Sequence, residues 1–273
     1  MTAIAVQQDL PDVQELVPAR ASHSRIPMSR IVAVELRKMF DTRSGFWLMA
    51  GIVIAAVLAT GSVILFAPDE ELTYGTFSAA IGFPMAVILP MIAILSVTSE
   101  WSQRSGLTTF TLVPNRARVI TAKAVSAVAV GVVSIPLAFA IGAVGNVLGT
   151  AITGTGTVWD VSVADGLYIV LGNVLGLLVG FMLGVLIRNS AGAIVAYFVY
   201  SLLLPSLSEL LAATQHWFRD LQPWVDFNTT SAVLFDGGPH GGEQWAQLGV
   251  TGAIWLLLPL AVGLTLVMRS EVK

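Results

Sequence analysis

Six apolar runs, at about 46–66, 77–97, 119–148, 167–187, 191–211 and 248–268, dominate this chain. Each is close to or beyond the ~20 residues that cross the hydrocarbon core of a bilayer as a helix. No water inside lipid pairs with a backbone N–H or C=O, and over such lengths a helix satisfies both internally. The runs therefore predict an all-α integral membrane protein with six transmembrane helices. Composition agrees, since only 11% of the 273 residues are charged, where a soluble domain carries roughly a quarter. The chain has no cysteine, which excludes disulfides, thiolate nucleophiles and cysteine-ligated metals.

The distribution of charge predicts an orientation. With six spans both termini share a side. That side carries Arg20, Arg25, Arg30, Arg37, Lys38, Arg43, Arg104, Arg116, Arg118, Lys123, Arg188, Arg269 and Lys273. The other side carries only Arg219, against acids that include Asp69, Glu70, Glu71, Asp160, Asp226, Asp236 and Glu243. Basic residues accumulate on the cytoplasmic side of membrane proteins. The expectation is a multi-pass protein of the cell (cytoplasmic) membrane with both termini cytoplasmic.

Residues 1–27 contain no apolar run of signal-peptide type and three prolines, and are expected to form a mobile cytoplasmic tail. Residues 28–42 read as an amphipathic helix lying in the membrane interface. Ile31, Val32, Leu36, Met39 and Phe40 share one face, Arg30, Arg37 and Lys38 lie toward another, and Ser29 is a candidate N-cap. The stretch DTRSG, 41–45, breaks it from the membrane domain, 43–273.

Signatures of chemistry are scarce. The three lysines follow Arg37, Ala122 and Val272, so no Gly-Lys-Ser/Thr phosphate loop exists, and no catalytic residue or cofactor site is assigned. Asp236, His240 and Glu243 could ligate a metal, but DGGPHGGEQW reads better as a flexible turn, and no metal is assigned. His216, Trp217, Trp224 and Phe227 lie in the outer segment, 212–247, where clustered aromatics anchor chains at headgroup level; contact with a transported substrate is the alternative. Asn228–Thr230 matches a glycosylation sequon, a frequent chance match.

Within the spans, Gly172, Gly176, Gly180 and Gly184 recur every four residues. That spacing makes a groove for close approach of another helix, either in this chain or in a second copy. Asn173 could hydrogen-bond across it. Pro84, Pro90, Pro136, Pro205 and Pro259 interrupt four spans, each removing a helix hydrogen bond and permitting a kink. Glu209 is the one carboxylate placed near membrane depth, or else it lies just beyond the end of its span.

Between the second and third runs stands SVTSEWSQRSGLTTFTLVPNRARVITAK, 96–123, which holds four of the fourteen basic residues. Glu100 and Arg104 are four apart in the acid-first order that suits a helix pair. Ser105 and Gly106 make a break, Pro114 a stop, and Asn115 a cap for the third span. Arg116 and Arg118 oppose the dipole at that helix start, which suits a role in orientation or in contact with a partner or headgroups. The segment reads as a short lever joined rigidly to two spans.

The succession Glu100, Gly106, Leu107, Thr108, Pro114, Arg116 and Lys123 resembles the segment after the second span of ABC-type-2 transporter permeases. Leu107 stands where threonine is usual, with Thr108 one place later. An amphipathic elbow helix before span one, six spans, both ends inside and a long outer segment complete the resemblance, which covers 28–273. It implies the transmembrane subunit of an ABC exporter, without an ATPase site of its own, in which 99–122 forms a coupling helix. Two copies of an ATP-binding subunit, carrying ATP and Mg, and a second permease subunit in a homodimer or heterodimer would complete the assembly. Membrane lipids are the remaining expected partners, with no nucleic acid. An amphipathic or apolar cargo is the expected substrate. The alternative reading is a six-span membrane enzyme or assembly protein acting on lipids, with its site in the outer aromatic segment.

Overall fold

A computed structural model describes residues 26–102 and 115–269. A short helix, α1 (Met28–Asp41), precedes six long apolar helices, each long enough to cross a membrane. The first four are single rods: α2 (Arg43–Phe66), α3 (Tyr74–Ser102), α4 (Arg116–Thr153) and α5 (Val163–Ile187). The fifth span joins α6 (Ser190–Phe198) to α7 (Leu204–Thr214) through a π turn, Val199–Leu203. Two short helices, α8 (His216–Val225) and α9 (Phe227–Ala232), follow. The sixth span joins α10 (Gly242–Gly252) to α11 (Leu258–Arg269) through a second π turn, Ala253–Leu257. The chain is thus a multi-pass membrane protein by the length and apolar character of its helices.

The helices outrun the apolar runs where polar residues cap them. Asn115 accepts a hydrogen bond from the Arg118 N–H, opening α4 as its sequence suggests. Ser162 and Asp165 form a reciprocal capping box that starts α5 four residues before its apolar run. Thr42 breaks α1 from α2 in an extended conformation and caps α2 by accepting from the Gly45 N–H. A side chain at Gly45 would collide with the Met39 carbonyl, so the turn needs glycine. Helix α1 begins at Met28 with Pro27 at the cap position and no side-chain cap, rather than on Ser29.

The tightest seam is α3 against α5. A Cβ on Gly180 would stand 2.6 Å from the Pro90 carbonyl oxygen, and one on Gly184 would stand 3.3 Å from that of Ile94. Two of the four periodic glycines therefore bring backbones together within this chain. Gly172 instead receives the Phe235 ring, and Gly176 meets open space. Around the seam, Ile81, Met85, Leu89, Ile135, Leu177 and Phe181 form one continuous core. Val163–Ile187 is the most enclosed of the six spans and Ser190–Thr214 the least.

Proline positions are handled locally. Pro90 has no N–H, which leaves the Ala86 carbonyl without its helical donor. The Tyr197 hydroxyl of α6 donates to that oxygen at 2.7 Å. Pro205 and Pro259 each follow a π turn: the N–H groups of Leu204 and Leu258 bond five residues back, to Val199 and Ala253. The wider turn accommodates the ring and the missing donor. Tyr200 and Trp255, one from each π turn, meet with ring centroids 5.9 Å apart.

Candidate functional site

The two ends of the bundle differ in chemistry. One end gathers α1, the end of α3, the start of α4 and the end of α11; among the described residues it carries every basic residue except Arg219. The other holds the acidic connections, including 67–73 and 154–162, and the segment 212–247. There Thr73 bridges Val158, the Gly75 N–H donates to Asp160 at 2.6 Å, and Asn146 donates to the Val158 carbonyl at 2.9 Å.

At the basic end the residues of two helices and α1 meet in an ion network. Helix α1 turns a stripe at four-residue spacing toward the bundle: Ile31, Glu35 and Met39. Glu35 is 4% exposed, between two apolar neighbours on that stripe. Lys123, two turns inside α4, places Nζ 2.6 Å from Glu35 Oε2, 3.1 Å from Glu100 Oε1 and 3.0 Å from the Ser96 carbonyl oxygen. The contacts to Glu35 and to the Ser96 carbonyl are hydrogen bonds, and Glu100 completes the ion pairing. Lys38 Nζ reaches the same two acids, 2.8 Å from Glu35 Oε1 and 3.1 Å from Glu100 Oε1. Two carboxylates and two ammoniums thus alternate, and their charges sum to zero.

Burial makes this arrangement sensitive. Glu35, Glu100 and Lys123 are each under 5% exposed. Removing such ions from water costs several kcal/mol each, offset only while each keeps its partners. Lys38 is half-exposed: desolvation alone would lower its pKa, but the hydrogen bonds and charges of Glu35 and Glu100 outweigh that and raise it above 10.5. The ammonium therefore stays charged through the neutral range.

Further bonds fix the same corner. Arg118 Nη2 donates to the Ile26 carbonyl at 2.6 Å, and Ser126 Oγ donates to the Val32 carbonyl at 3.3 Å, so with the Lys123–Glu35 bond α4 grips α1 at two heights and the residues leading into it at a third. Arg116 Nη1 donates at 2.9 Å to the Val267 carbonyl, in the last turn of α11, where helix carbonyls lack an intrahelical partner. The Thr98 and Ser190 hydroxyls meet at 2.7 Å, linking α3 to the start of α6. Arg116 and Arg118, unfavourable for their own helix, thereby serve the ends of two others.

Of the residues singled out between the second and third spans, Glu100, Arg116 and Lys123 come together at this corner. Arg104, Gly106, Leu107, Thr108 and Pro114 lie outside the described residues. Glu100 and Lys123 face inward, tying together the helices they hold. Sequence reasoning missed Glu35, and it put Lys38 on the outward face with Arg30 and Arg37. The signal was present: an acid at the middle of an i, i+4, i+8 stripe otherwise made of Ile31 and Met39. Phe40, counted with the apolar face, is 52% exposed on the far side of α1.

At the acidic end, Phe227 belongs to the core and not to an outer boundary. It is 2% exposed against Gly252, because Asp226 caps α9 and turns the next residue inward. His216, Trp217 and Trp224 remain exposed, and Trp217, Leu221 and Trp224 line one face of α8 at helical spacing. Arg219 donates to the carbonyls of Ala212 and Ala213, capping the end of α7. Trp255 Nε1 donates to the Val225 carbonyl at 2.6 Å, and the Thr230 and Thr251 hydroxyls meet at 2.8 Å, so the segment 212–247 is anchored to the sixth span. Glu209 is exposed on α7. Among the described residues no cluster of three His, Asp or Glu side chains is placed to hold a metal.

No protein-family model matches this chain. No curated protein matches it either.

Proposed function

We propose that this chain is the membrane-embedded permease subunit of an ATP-driven ABC exporter of the type-2 class, moving an amphipathic or apolar substrate. The observation that carries the reading is the position of Lys123. Its ammonium joins Glu100 before the expected coupling segment to Glu35 of α1, while Lys123 itself lies just after that segment. A displacement delivered between residues 100 and 123 would reach α1, α3 and α4 together, as one body. This is the mechanical property required of a subunit that receives work from another protein. Hydrolysis would occur on two copies of a separate ATP-binding subunit carrying ATP and Mg, and a second permease subunit would complete the pathway.

In this reading the basic end faces the cytoplasm, which accords with the preference of Lys and Arg for that side. Helix α1 is the elbow, lying along the inner leaflet. The exposed stripe Trp217, Leu221 and Trp224 sits at the outer headgroup level, where amphipathic aromatic rings are favoured.

Purification of the tagged chain from its native membrane tests the proposal. A P-loop ATPase subunit is expected to accompany it, and ATP hydrolysis by the complex is expected to rise with transport. Glu100→Ala or Arg104→Glu is expected to uncouple hydrolysis from transport while membrane insertion persists. A chain that purifies without any ATPase, or unchanged coupled transport in both variants, would overturn the reading.

A further inference from the structure

A cavity of about 670 Å³ lies beneath α1, between it and the facing ends of α2, α3 and α4. Its volume is within the usual range for small-molecule sites. The floor is apolar, built from Leu48, Met49, Ile92 and Leu95. The wall contributed by α1 is different: Arg30, Val34 and Lys38 border the cavity at four-residue spacing, so two cations stand about 12 Å apart along the helix. This stripe lies beside the inward stripe of Ile31, Glu35 and Met39.

Charge accounting identifies what the cavity lacks. Glu35 and Glu100 are balanced by Lys38 and Lys123. Among the described residues Arg30 has no ion-pair partner and is exposed at the cavity wall. Lys38 spends two of its three N–H donors on Glu35 and Glu100, which leaves a third. Among the described residues the cavity is thus an apolar chamber with one uncompensated positive charge and a spare ammonium donor at its edge. It opens where an amphipathic helix adjoins a membrane span.

We propose that this cavity binds one anionic phospholipid, with an acyl chain over Leu48, Met49, Ile92 and Leu95, the headgroup phosphate against Arg30, and another polar oxygen of the lipid within reach of the spare Lys38 donor. A guanidinium pairs two N–H groups with a phosphate, and basic pockets between membrane helices suit anionic headgroups. The bound lipid would fill the space under α1 and neutralise Arg30, completing the packing between α1 and the spans. The site does not depend on the permease reading: it requires only that the chain lies in a bilayer.

The test is native mass spectrometry of the full chain released from bilayers of equimolar phosphatidylglycerol and phosphatidylcholine. One phosphatidylglycerol per chain is expected, enriched over its bulk share. Arg30→Glu is expected to lower that enrichment about tenfold, the effect of losing one charge-assisted contact. Arg37→Glu, the same charge change at an 82% exposed side chain of α1, is expected to leave it intact. Ser44→Trp, at the cavity wall, is expected to exclude lipid altogether; unfolding temperature and elution volume report whether each variant is folded. Retained lipid that mirrors the bulk mixture would overturn the proposal, as would equal effects of Arg30→Glu and Arg37→Glu. Retention only after deletion of residues 1–25 would also overturn it, because the chain's own first residues would then be the occupant. Co-purification of an ATPase is unaffected by any of these outcomes, so the two proposals fail separately.

Discussion

The Tyr197 hydroxyl stands 2.7 Å from the Ala86 carbonyl, the oxygen that Pro90 deprives of its helical donor. A backbone defect in one span is thus repaired by a side chain from another, and the repair also fixes how α6 docks on α3. Tyr197→Phe removes the repair and leaves a buried carbonyl unpaired. The expected loss is about 0.6–2 kcal/mol, the range spanned by hydrogen bonds between membrane helices. Adding Pro90→Ala restores the helical N–H, so the double variant is expected to recover most of the loss in a detergent unfolding curve.

Lys123→Met takes from Glu35 and Glu100 the buried ammonium that they share. Breaking a buried ionic group by removing one partner costs about 3–5 kcal/mol. The variant is expected to lose that much stability, and Lys123→Met with Glu35→Gln is expected to recover part of it, since the charges again balance. Chemical unfolding of both proteins in the same detergent measures the difference. A neutral single variant would mean that the network carries little weight.

Gly180 and Gly176 occupy the same helix four residues apart, yet opposite outcomes are expected. Alanine at 180 would place its Cβ 2.6 Å from the Pro90 carbonyl oxygen, and the seam between α3 and α5 must open. The cost is about 1–3 kcal/mol, as for other overpacked interiors. Alanine at 176 meets nothing within 4 Å and is expected to be neutral or stabilising by up to about 1 kcal/mol. Thermal unfolding of the two single variants separates them.

The raised pKa of Lys38 sets an alkaline limit. A lysine whose folded pKa lies above its unfolded value adds stability that is fully present below the unfolded value and is lost as pH rises through the folded one. The contribution of Lys38 is therefore expected to persist up to about 10.5 and to decline above it. Unfolding temperature followed against pH is expected to fall on this alkaline limb for the native chain. Lys38→Met is expected to lower stability at neutral pH and to flatten that limb.

Much of the architecture could be read from the residues in order. The six apolar runs became six long helices because length and apolarity act locally, without reference to neighbours. Asn115 opened α4 for a similar reason: a cap acts within one turn. The break at 41–45 was legible because Thr42 and Gly45 impose their geometry within three residues. The ion network was only half legible. Glu100 and Lys123 stood out by type and spacing, whereas Glu35 was hidden by the habit of assigning charges to the wet face of a helix. Phe227 misled in the opposite sense, since an aromatic near the end of a span can serve an interface or a core equally well.

Periodicity along the chain settles which segments become helices and which residues share a face, because hydrogen bonding and side-chain direction repeat every 3.6 residues whatever lies nearby. It says nothing about which faces meet. That Gly180 rests on Pro90, that Tyr197 repairs Ala86, and that Lys123 finds Glu35 across 88 residues of chain were decided only by the packing of helices. The physical reason is range: caps and turns act over a few residues, whereas a buried ion or an orphaned carbonyl must find its partner wherever the fold brings one within about 3 Å.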